Sequence, residues 1–379
     1  MIEDDIYRTS SQYRLWSYTR SQLSSIHSTT NQLASERVRS AVRRVHAAKS
    51  EPVSKATHNG HGDAMAMDMD PATDPDIQTL TPAEELKIVQ WGCSKIVEMA
   101  EAMTPRLPSL VAATAIQYLR RFYLTNSPMT YHPKTIMMCA LFLATKAEHH
   151  YVPLSRFVVD LDGISEDDVK APEFLVMQGL RFTLGVWHPM RGLEGAVLEM
   201  GEWSREGWVV GQAEGVGMDR VGRAADGAKK FLVREAQMTD AYFLYTPSQI
   251  WVSALMCADE ALGRGFVDRK LQDLGDGAPE MDAMKKRLWA VLRDCVELLK
   301  SYKSPEEDGA ERKEMRRIGK KLTVCQNPEK VDIVAVARAK AAEKREGTEE
   351  KREEKSKKRK VEEQSKGRDE DVFGASLRA

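Results

Sequence analysis

Histidines, cysteines and acidic clusters are the side chains here that could do chemistry, and their spacing gives them little to do. His58 and His61 stand beside Gly60 and Gly62. Two imidazoles there could begin a metal site, but a closed site needs further ligands that this stretch does not supply, so both read as solvated loop residues. His149-His150 follows a long apolar run and reads as cationic charge favoured at a helix C-terminus. Cys93, Cys139, Cys257, Cys295 and Cys325 are odd in number, widely spaced and free of any C-x-x-C pair, which excludes a zinc ribbon and a thiol-redox motif. Such thiols suit a reducing, intracellular compartment. Gly215-Val-Gly217 lacks the rest of a G-x-G-x-x-G loop, a preceding strand and a Walker lysine, so no phosphate cradle is expected. Glu166-Asp167-Asp168 behind Ser165 is explained by capping of a helix start. No kinase or hydrolase signature occurs. No catalytic residue, metal ligand or cofactor is assigned, and the chain reads as a binding or regulatory protein rather than an enzyme.

The elements that would position a binding surface are helical. Thr81-Pro82-Ala83-Glu84 combines an N-cap threonine, proline at the first helical position and glutamate at the third. Behind it Leu86, Val89, Cys93, Ile96, Ala100 and Met103 recur in steps of three and four, one apolar face of a helix. A second helix is expected from Leu110 to Leu124. A third, from Pro133 to Glu148, is apolar nearly all round, as a buried central helix must be. More are expected near 154–161, 166–184, 189–203, 219–238, 247–262 and 279–302, and another between Arg20 and Lys49. No stretch alternates with period two, so the fold class is all-α.

An internal repeat strengthens that reading. Tyr131, Pro133, Ile136, Ala140, Leu141 and Ala144 are matched by Tyr245, Pro247, Ile250, Ala254, Leu255 and Ala258, each 114 residues further on. The spacing is too long for a solenoid and implies two similar helical domains in tandem. The expected organisation is an N-terminal helical segment at 1–49, a flexible linker at 50–79, repeats at 80–187 and 188–302, C-terminal helices at 303–345 and a charged, disordered tail at 346–379. Ser304-Pro305-Glu306-Glu307 and Asn327-Pro328 open the expected C-terminal helices.

Charge and hydropathy narrow the function. The 379 residues carry 56 Lys and Arg against 57 Asp and Glu, a net charge of -1, which argues against coating nucleic acid through net charge. The longest apolar stretch, Ile136 to Ala144, is far shorter than the roughly 18 residues of a membrane span. Acidic residues in MIEDDIYRTSS stand where a signal peptide needs basic ones. Between Glu343 and Glu370, 21 of 28 residues are charged, a solvated run. Within it, Lys357, Lys358, Arg359 and Lys360 resemble a monopartite nuclear-localisation signal; the plain alternative is more solvated charge.

Two all-helical repeats of this kind resemble the cyclin fold, with five helices in each repeat around a buried third and flanking helices at both ends. The resemblance is narrower than the fold. Ser10-Ser11-Gln12-Tyr13-Arg14-Leu15-Trp16 is similar to the opening of the H-type cyclins. So are Arg121-Phe122-Tyr123-Leu124-Thr125-Asn126-Ser127 with Tyr131-His132-Pro133, and Thr239-Asp240-Ala241-Tyr242 with Leu244-Tyr245-Thr246-Pro247-Ser248-Gln249-Ile250. These blocks span roughly residues 10–302.

The resemblance implies a non-catalytic regulatory subunit of the cyclin-dependent kinase of transcription factor TFIIH. Its implied partners are that kinase, a RING-finger assembly factor and the TFIIH core, with no membrane and no direct nucleic-acid contact. The implied work is phosphorylation of the RNA polymerase II C-terminal repeats and activation of other cyclin-dependent kinases, in the nucleus. It also implies two kinase-contact residues. Lys146, in Leu143-Ala144-Thr145-Lys146, resembles the family's L-A-x-K. Glu173 opens Glu173-Phe-Leu-Val-Met-Gln-Gly-Leu180-Arg-Phe182, resembling its E-x-L-x-x-x-x-L-x-F. Without the resemblance, Lys146 reads as a helix C-terminal cation and Glu173 as a first-turn anion. The positions 114 residues on are Glu260 and Arg287, with both charges reversed, so only the first repeat is expected to make this contact. The M-R-x-x-L-x-x-W docking patch of cell-cycle cyclins is missing around Trp91, which puts substrate docking of that kind in doubt. The stretches 50–76 and 201–227 exceed the family pattern and receive no role. The rival reading is a TFIIB-type factor gripping promoter DNA through the same fold; it wants a basic domain and a zinc ribbon.

Overall fold

The computed structural model describes residues 2–50, 77–161, 163–210, 215–272, 279–303 and 309–327. Every regular element among them is a helix, in line with the all-α reading. Contacts divide the chain into two units, 1–38 with 79–326 and 39–78 with 327–379. In the second unit the described parts are the helical stretch 39–50, where Arg44 Nε donates to the Ser40 carbonyl at 3.3 Å, residues 77–78 and Asn327. All that follows concerns the first unit.

The first repeat is built from α4 (Pro82–Ala102), α5 (Ser109–Thr125), α6 (Pro133–Ala147), α7 (Leu154–Val159), α8 (Glu166–Lys170) and α9 (Glu173–Gly179), preceded by α1 (Ile2–Thr9), α2 (Ser11–Trp16) and α3 (Arg20–Ser50). The start of α4 forms as its sequence requires: Glu84 N donates to Thr81 Oγ1 at 3.2 Å, and Thr81 N donates back to Glu84 Oε2 at 2.9 Å. Pro133 opens α6, and every residue from Ile136 to Thr145 is buried, so α4 and α5 wrap a helix with no polar face there.

The second repeat contains α10 (Met190–Arg205), α11 (Met218–Val233), α12 (Glu235–Met238), α13 (Ala241–Leu244), α14 (Pro247–Ala258), α15 (Glu260–Gln272) and α16 (Pro279–Ser301). Its centre is α14, where Thr246 and Gln249 form another capping box and Ile250, Ala254 and Leu255 are fully buried, as are Ile136, Ala140 and Leu141 in α6. The duplicated motif therefore marks the central helix of each repeat.

Several helices differ from their sequence-based bounds, each for a local reason. The helix expected over 166–184 is two. Pro172 lacks the N–H that would continue α8, and α9 ends in two left-handed residues, Arg181 (φ 52) and Phe182 (φ 55). The helix expected over 247–262 breaks at Asp259, whose extended backbone (φ -146, ψ 97) lets its carboxylate accept from Leu262 N at 3.0 Å and start α15. Arg220 holds the same carboxylate through two bonds, of 2.7 and 2.9 Å. In the described part of the glycine-rich stretch 201–227, Trp208, Val210 and Val216 join the second core, and Val216 N donates to the Trp208 carbonyl at 2.7 Å.

The flanking helices pack on the repeats. Trp16 and Leu23 form a core with Leu124 and Phe243, one residue from each repeat. Asn31 Nδ2 donates to the Leu80 carbonyl, and Thr30 Oγ1 to the Leu124 carbonyl, both at 2.8 Å. At the other end α17 (Gly309–Gln326) docks on α4 through Ile318 and Leu322, with Arg317 and Lys321 on Glu84 at 2.8 and 3.0 Å. The second expected C-terminal helix, the linker 51–76, His58 and His61, and Lys357, Lys358, Arg359 and Lys360 lie outside the described residues.

Candidate functional site

The two residues singled out for kinase contact are brought together. Lys146 lies in the last turn of α6 and Glu173 in the first turn of α9, each at the end where its charge opposes the helix dipole. Glu173 accepts a short hydrogen bond from Lys146 Nζ, and the two side chains are 34% and 25% exposed. Nζ also stands 4.8 Å from the centre of the Phe142 ring, a cation–π contact at the same helix end. Behind them burial pushes the Cys139 thiol up to about 12, with Glu173 adding to the rise, so that cysteine is an inert part of the core.

Apolar side chains beside the pair face solvent. Phe174, next to Glu173, is 64% exposed, and Phe182 is 56% exposed. Their rings meet edge to face with centroids 6.0 Å apart. Phe182 reaches this place because the left-handed turn at Arg181 and Phe182 folds the chain back over α9, with Phe182 N donating to the Met177 carbonyl at 2.9 Å. Tyr151, five residues after Lys146, is 76% exposed. Sequence reading missed this aromatic set. Its signal is one of phase: Val176 and Leu180 are the buried line of α9, and Phe174 is out of step with them.

The second repeat has no counterpart of the pair. Glu260 opens α15 and pairs with Arg264 one turn on at 2.9 Å, while Arg287 is an exposed residue of α16. Among the described residues no group of three or more His, Cys, Asp or Glu side chains could hold a metal ion, and no helix is long and apolar enough to cross a membrane. What this face offers is a charged pair on the ends of two packed helices, with the exposed Phe174–Phe182 pair adjoining Glu173. Aromatic area beside a charged pair has the composition of protein-binding surfaces in general.

Two family models match the chain in tandem, the cyclin N-terminal domain over residues 76–185 and the cyclin C-terminal domain over 188–300. The chain belongs to the cyclin family. This cyclin is 31% identical to Cyclin CCL1 of Saccharomyces cerevisiae over 71% of its own length and 62% of the relative's. With Cyclin-H1-1 of Arabidopsis thaliana it shares 30% identity over 66% of its own length and 70% of the relative's. Among solved structures, a chain of the CAK complex of Chaetomium thermophilum bound to ATP-gamma-S superposes with a TM-score of 0.67 at 30% identity, covering 90% of this cyclin and 96% of that chain. A chain of the yeast TFIIK (Kin28/Ccl1/Tfb3) complex gives 0.55 at 28% identity, covering 77% and 100%. Cyclins are generally non-catalytic regulatory subunits of kinases, and these relatives do not favour the promoter-gripping alternative.

Proposed function

We propose that this cyclin is of the H type and binds and activates the cyclin-dependent kinase of TFIIH, with Lys146 and Glu173 as its kinase contacts. The observation that carries the reading is the partly exposed Lys146–Glu173 pair with Phe174 and Phe182 beside it. It is supported by the likeness to cyclins solved in the CAK and TFIIK assemblies. The kinase αC helix presents backbone groups near its end that need partners once covered, and an ammonium donor with a carboxylate acceptor supplies both. The aromatic rim covers the adjoining apolar surface. An obligate contact of this kind buries about 2,000 Å² or more. The cyclin brings no reacting atom. It binds better to the kinase conformation with αC inward, where the αC glutamate pairs with the ATP-positioning lysine, and so shifts the kinase toward it.

In the same proposal the kinase phosphorylates the C-terminal repeats of RNA polymerase II and activates other cyclin-dependent kinases, in the nucleus. A RING-finger subunit joins the two, as Tfb3 accompanies Kin28 and Ccl1 in the yeast assembly, and the trio docks on the TFIIH core. The 357–360 cluster serves as a nuclear address. The test is affinity purification of the tagged chain with identification of the bound kinase, repeated with Lys146→Ala/Glu173→Ala. Loss of the kinase from the double variant is expected; its recovery at wild-type strength overturns the contact assignment, and recovery of no kinase with the wild-type chain overturns the function.

A further inference from the structure

The turn that carries Phe182 is held by a residue of the N-terminal segment, 166 positions earlier in the chain. Trp16 ends α2 and is fully buried. The Arg121 guanidinium lies 5.2 Å from the centre of its ring system and that of Arg181 5.1 Å. The indole Nε1–H donates to Thr183 Oγ1 at 2.9 Å, and that hydroxyl donates to the Leu180 carbonyl at 2.7 Å. Trp16 therefore grips residues on both sides of Phe182.

The grip matters because the turn is strained. Arg181 and Phe182 both occupy the left-handed region, which side chains with a Cβ rarely adopt, and two in succession are rarer still. No glycine eases the bend. Backbone bonds from Arg181 N to the Gln178 carbonyl and from Phe182 N to the Met177 carbonyl, both 2.9 Å, favour it from one side only. Strain of this kind persists where surrounding structure over-determines it, and it concentrates at functional positions. Here the strained residue is an exposed aromatic whose ring rests on Phe174, the neighbour of Glu173.

α2 is itself firmly placed. Gln12 Oε1 accepts from the buried Arg121 at 3.0 Å and from Trp187 N at 2.7 Å, tying the segment to α5 and to the connection between the repeats. We infer that Trp16 is a positioning residue for kinase binding: through Arg181 and Thr183 it holds the strained turn, and the turn sets the Phe174–Phe182 pair beside Glu173. The inference rests on the reading of this face as the kinase contact. It makes the N-terminal segment a determinant of the contact surface without touching the kinase at this point.

The test is a double-mutant cycle on the full-length chain, with affinity measured by calorimetry against the recombinant kinase subunit identified by the purification above. Phe182→Ala should weaken binding by about tenfold, as loss of an aromatic anchor does. Trp16→Leu should weaken it by roughly threefold to tenfold, and the two losses should not add, because the second acts through the first. Amide exchange at Arg181–Thr183 should accelerate in Trp16→Leu while α6 stays protected. Should Trp16→Leu fail to fold, Thr183→Val, which removes the hydroxyl that accepts from Trp16 and donates to the Leu180 carbonyl, replaces it in the cycle. Fully additive losses, or a Trp16 variant with wild-type affinity, overturn the inference. Glu173→Ala separates the two levels: if it binds normally, the reading of the face fails, and if it weakens binding while the Trp16 and Thr183 variants do not, only the inference fails.

Discussion

His188 and Thr114 share a hydrogen bond of 2.8 Å between the start of the second repeat and the second helix of the first. Thr114 Oγ1 uses its one proton to donate to Glu148 Oε1 at 2.7 Å, so it must accept from His188 Nε2–H. Nδ1 is then the acceptor, taking the Tyr242 hydroxyl proton at 3.0 Å, and Tyr242 in turn accepts from Gln237 Nε2 at 2.6 Å. Gln237 Oε1 accepts from Gln117 Nε2 at 2.8 Å, which returns the chain to α5. Every proton points the same way, toward Glu148, and the acceptor role of Nδ1 requires a neutral imidazole. The relay pins the two repeats together at the C-cap of α6, two residues beyond Lys146.

A neutral, half-buried histidine makes stability depend on pH. Burial, helped by the nearby Arg121 and Arg191 charges, pushes His188 down to about 3. The folded value lies below the unfolded value of about 6.5, so the unfolded chain binds more protons between them. The contribution is complete above about pH 6.5 and is lost as pH falls toward 3, with about 2 kcal/mol gone at pH 5. Burial also lowers His27 and His132, so the wild type should lose more than His188 alone accounts for. Chemical denaturation at pH 7.5 and pH 5 checks this. His188→Gln, which keeps a donor and an acceptor but does not titrate, should lose about 2 kcal/mol less across that interval than the wild type. An equal loss in both proteins would remove His188 as the cause.

Glu84 joins the capping box of α4 to the docking of α17, and its removal should release the C-terminal helix. Burial by itself would raise this carboxyl, but the Thr81 backbone donor and Lys321, with Arg317, bring it below the usual carboxylate range. Glu84→Ala deletes one half of the box and strands Lys321, whose side chain is 18% exposed. The expected cost is about 2–3 kcal/mol. Limited trypsin digestion should then cut within Arg312–Lys321 at least tenfold faster, a factor that about 1.4 kcal/mol of local opening suffices to give. Unchanged cleavage would mean that Ile318 and Leu322 hold the helix without the charges.

The legible part of this molecule is the part whose signals are local. Proline at the first helical position and a largely apolar pattern announce α6 and α14, with Thr246 capping the second, and both are the central helices of their repeats. Within the helical segment expected at 1–49, the chain gives no boundary for α2, because what places it is distant: Gln12 and Trp16 meet Arg121, Thr183 and Trp187 more than a hundred residues away. Nor does any glycine mark the turn at Arg181 and Phe182, so although the helical phase of Phe174 points it outward, the placing of Phe182 against it could not be read from the chain. The pairing of Lys146 with Glu173 likewise depends on α6 and α9 ending side by side, which periodicity cannot tell.

That pairing predicts a separation between stability and binding. In the free cyclin the pair is partly solvated, so Lys146→Ala or Glu173→Ala should change folding stability by less than about 1 kcal/mol. In the proposed complex each variant leaves a covered polar group without its partner, and binding should fall by about 2–5 kcal/mol. Urea denaturation beside a kinase-binding isotherm checks both halves. A variant that loses stability and affinity in equal measure would place the pair in the scaffold rather than the interface.

Two glycines of α11, five residues apart, should respond to alanine with opposite signs. A Cβ on Gly227 would fall 2.8 Å from the Ala258 Cβ on α14, closer than two methyl carbons can stand. Neither carbon can rotate away, since each is fixed to its backbone, so α11 must lift from the central helix of the second repeat. Overpacking of this kind costs about 1–3 kcal/mol, more than the helix propensity gained. A Cβ on Gly222 meets nothing within 4 Å, and alanine there restricts the unfolded chain without disturbing the folded one. Gly222→Ala should therefore stabilise by about 0.5–1 kcal/mol. Paired thermal melts decide it. If Gly227→Ala also stabilises, the close packing of α11 on α14 is looser than this geometry requires, and the duplicated small residue at Ala258 owes its place to something other than helix contact.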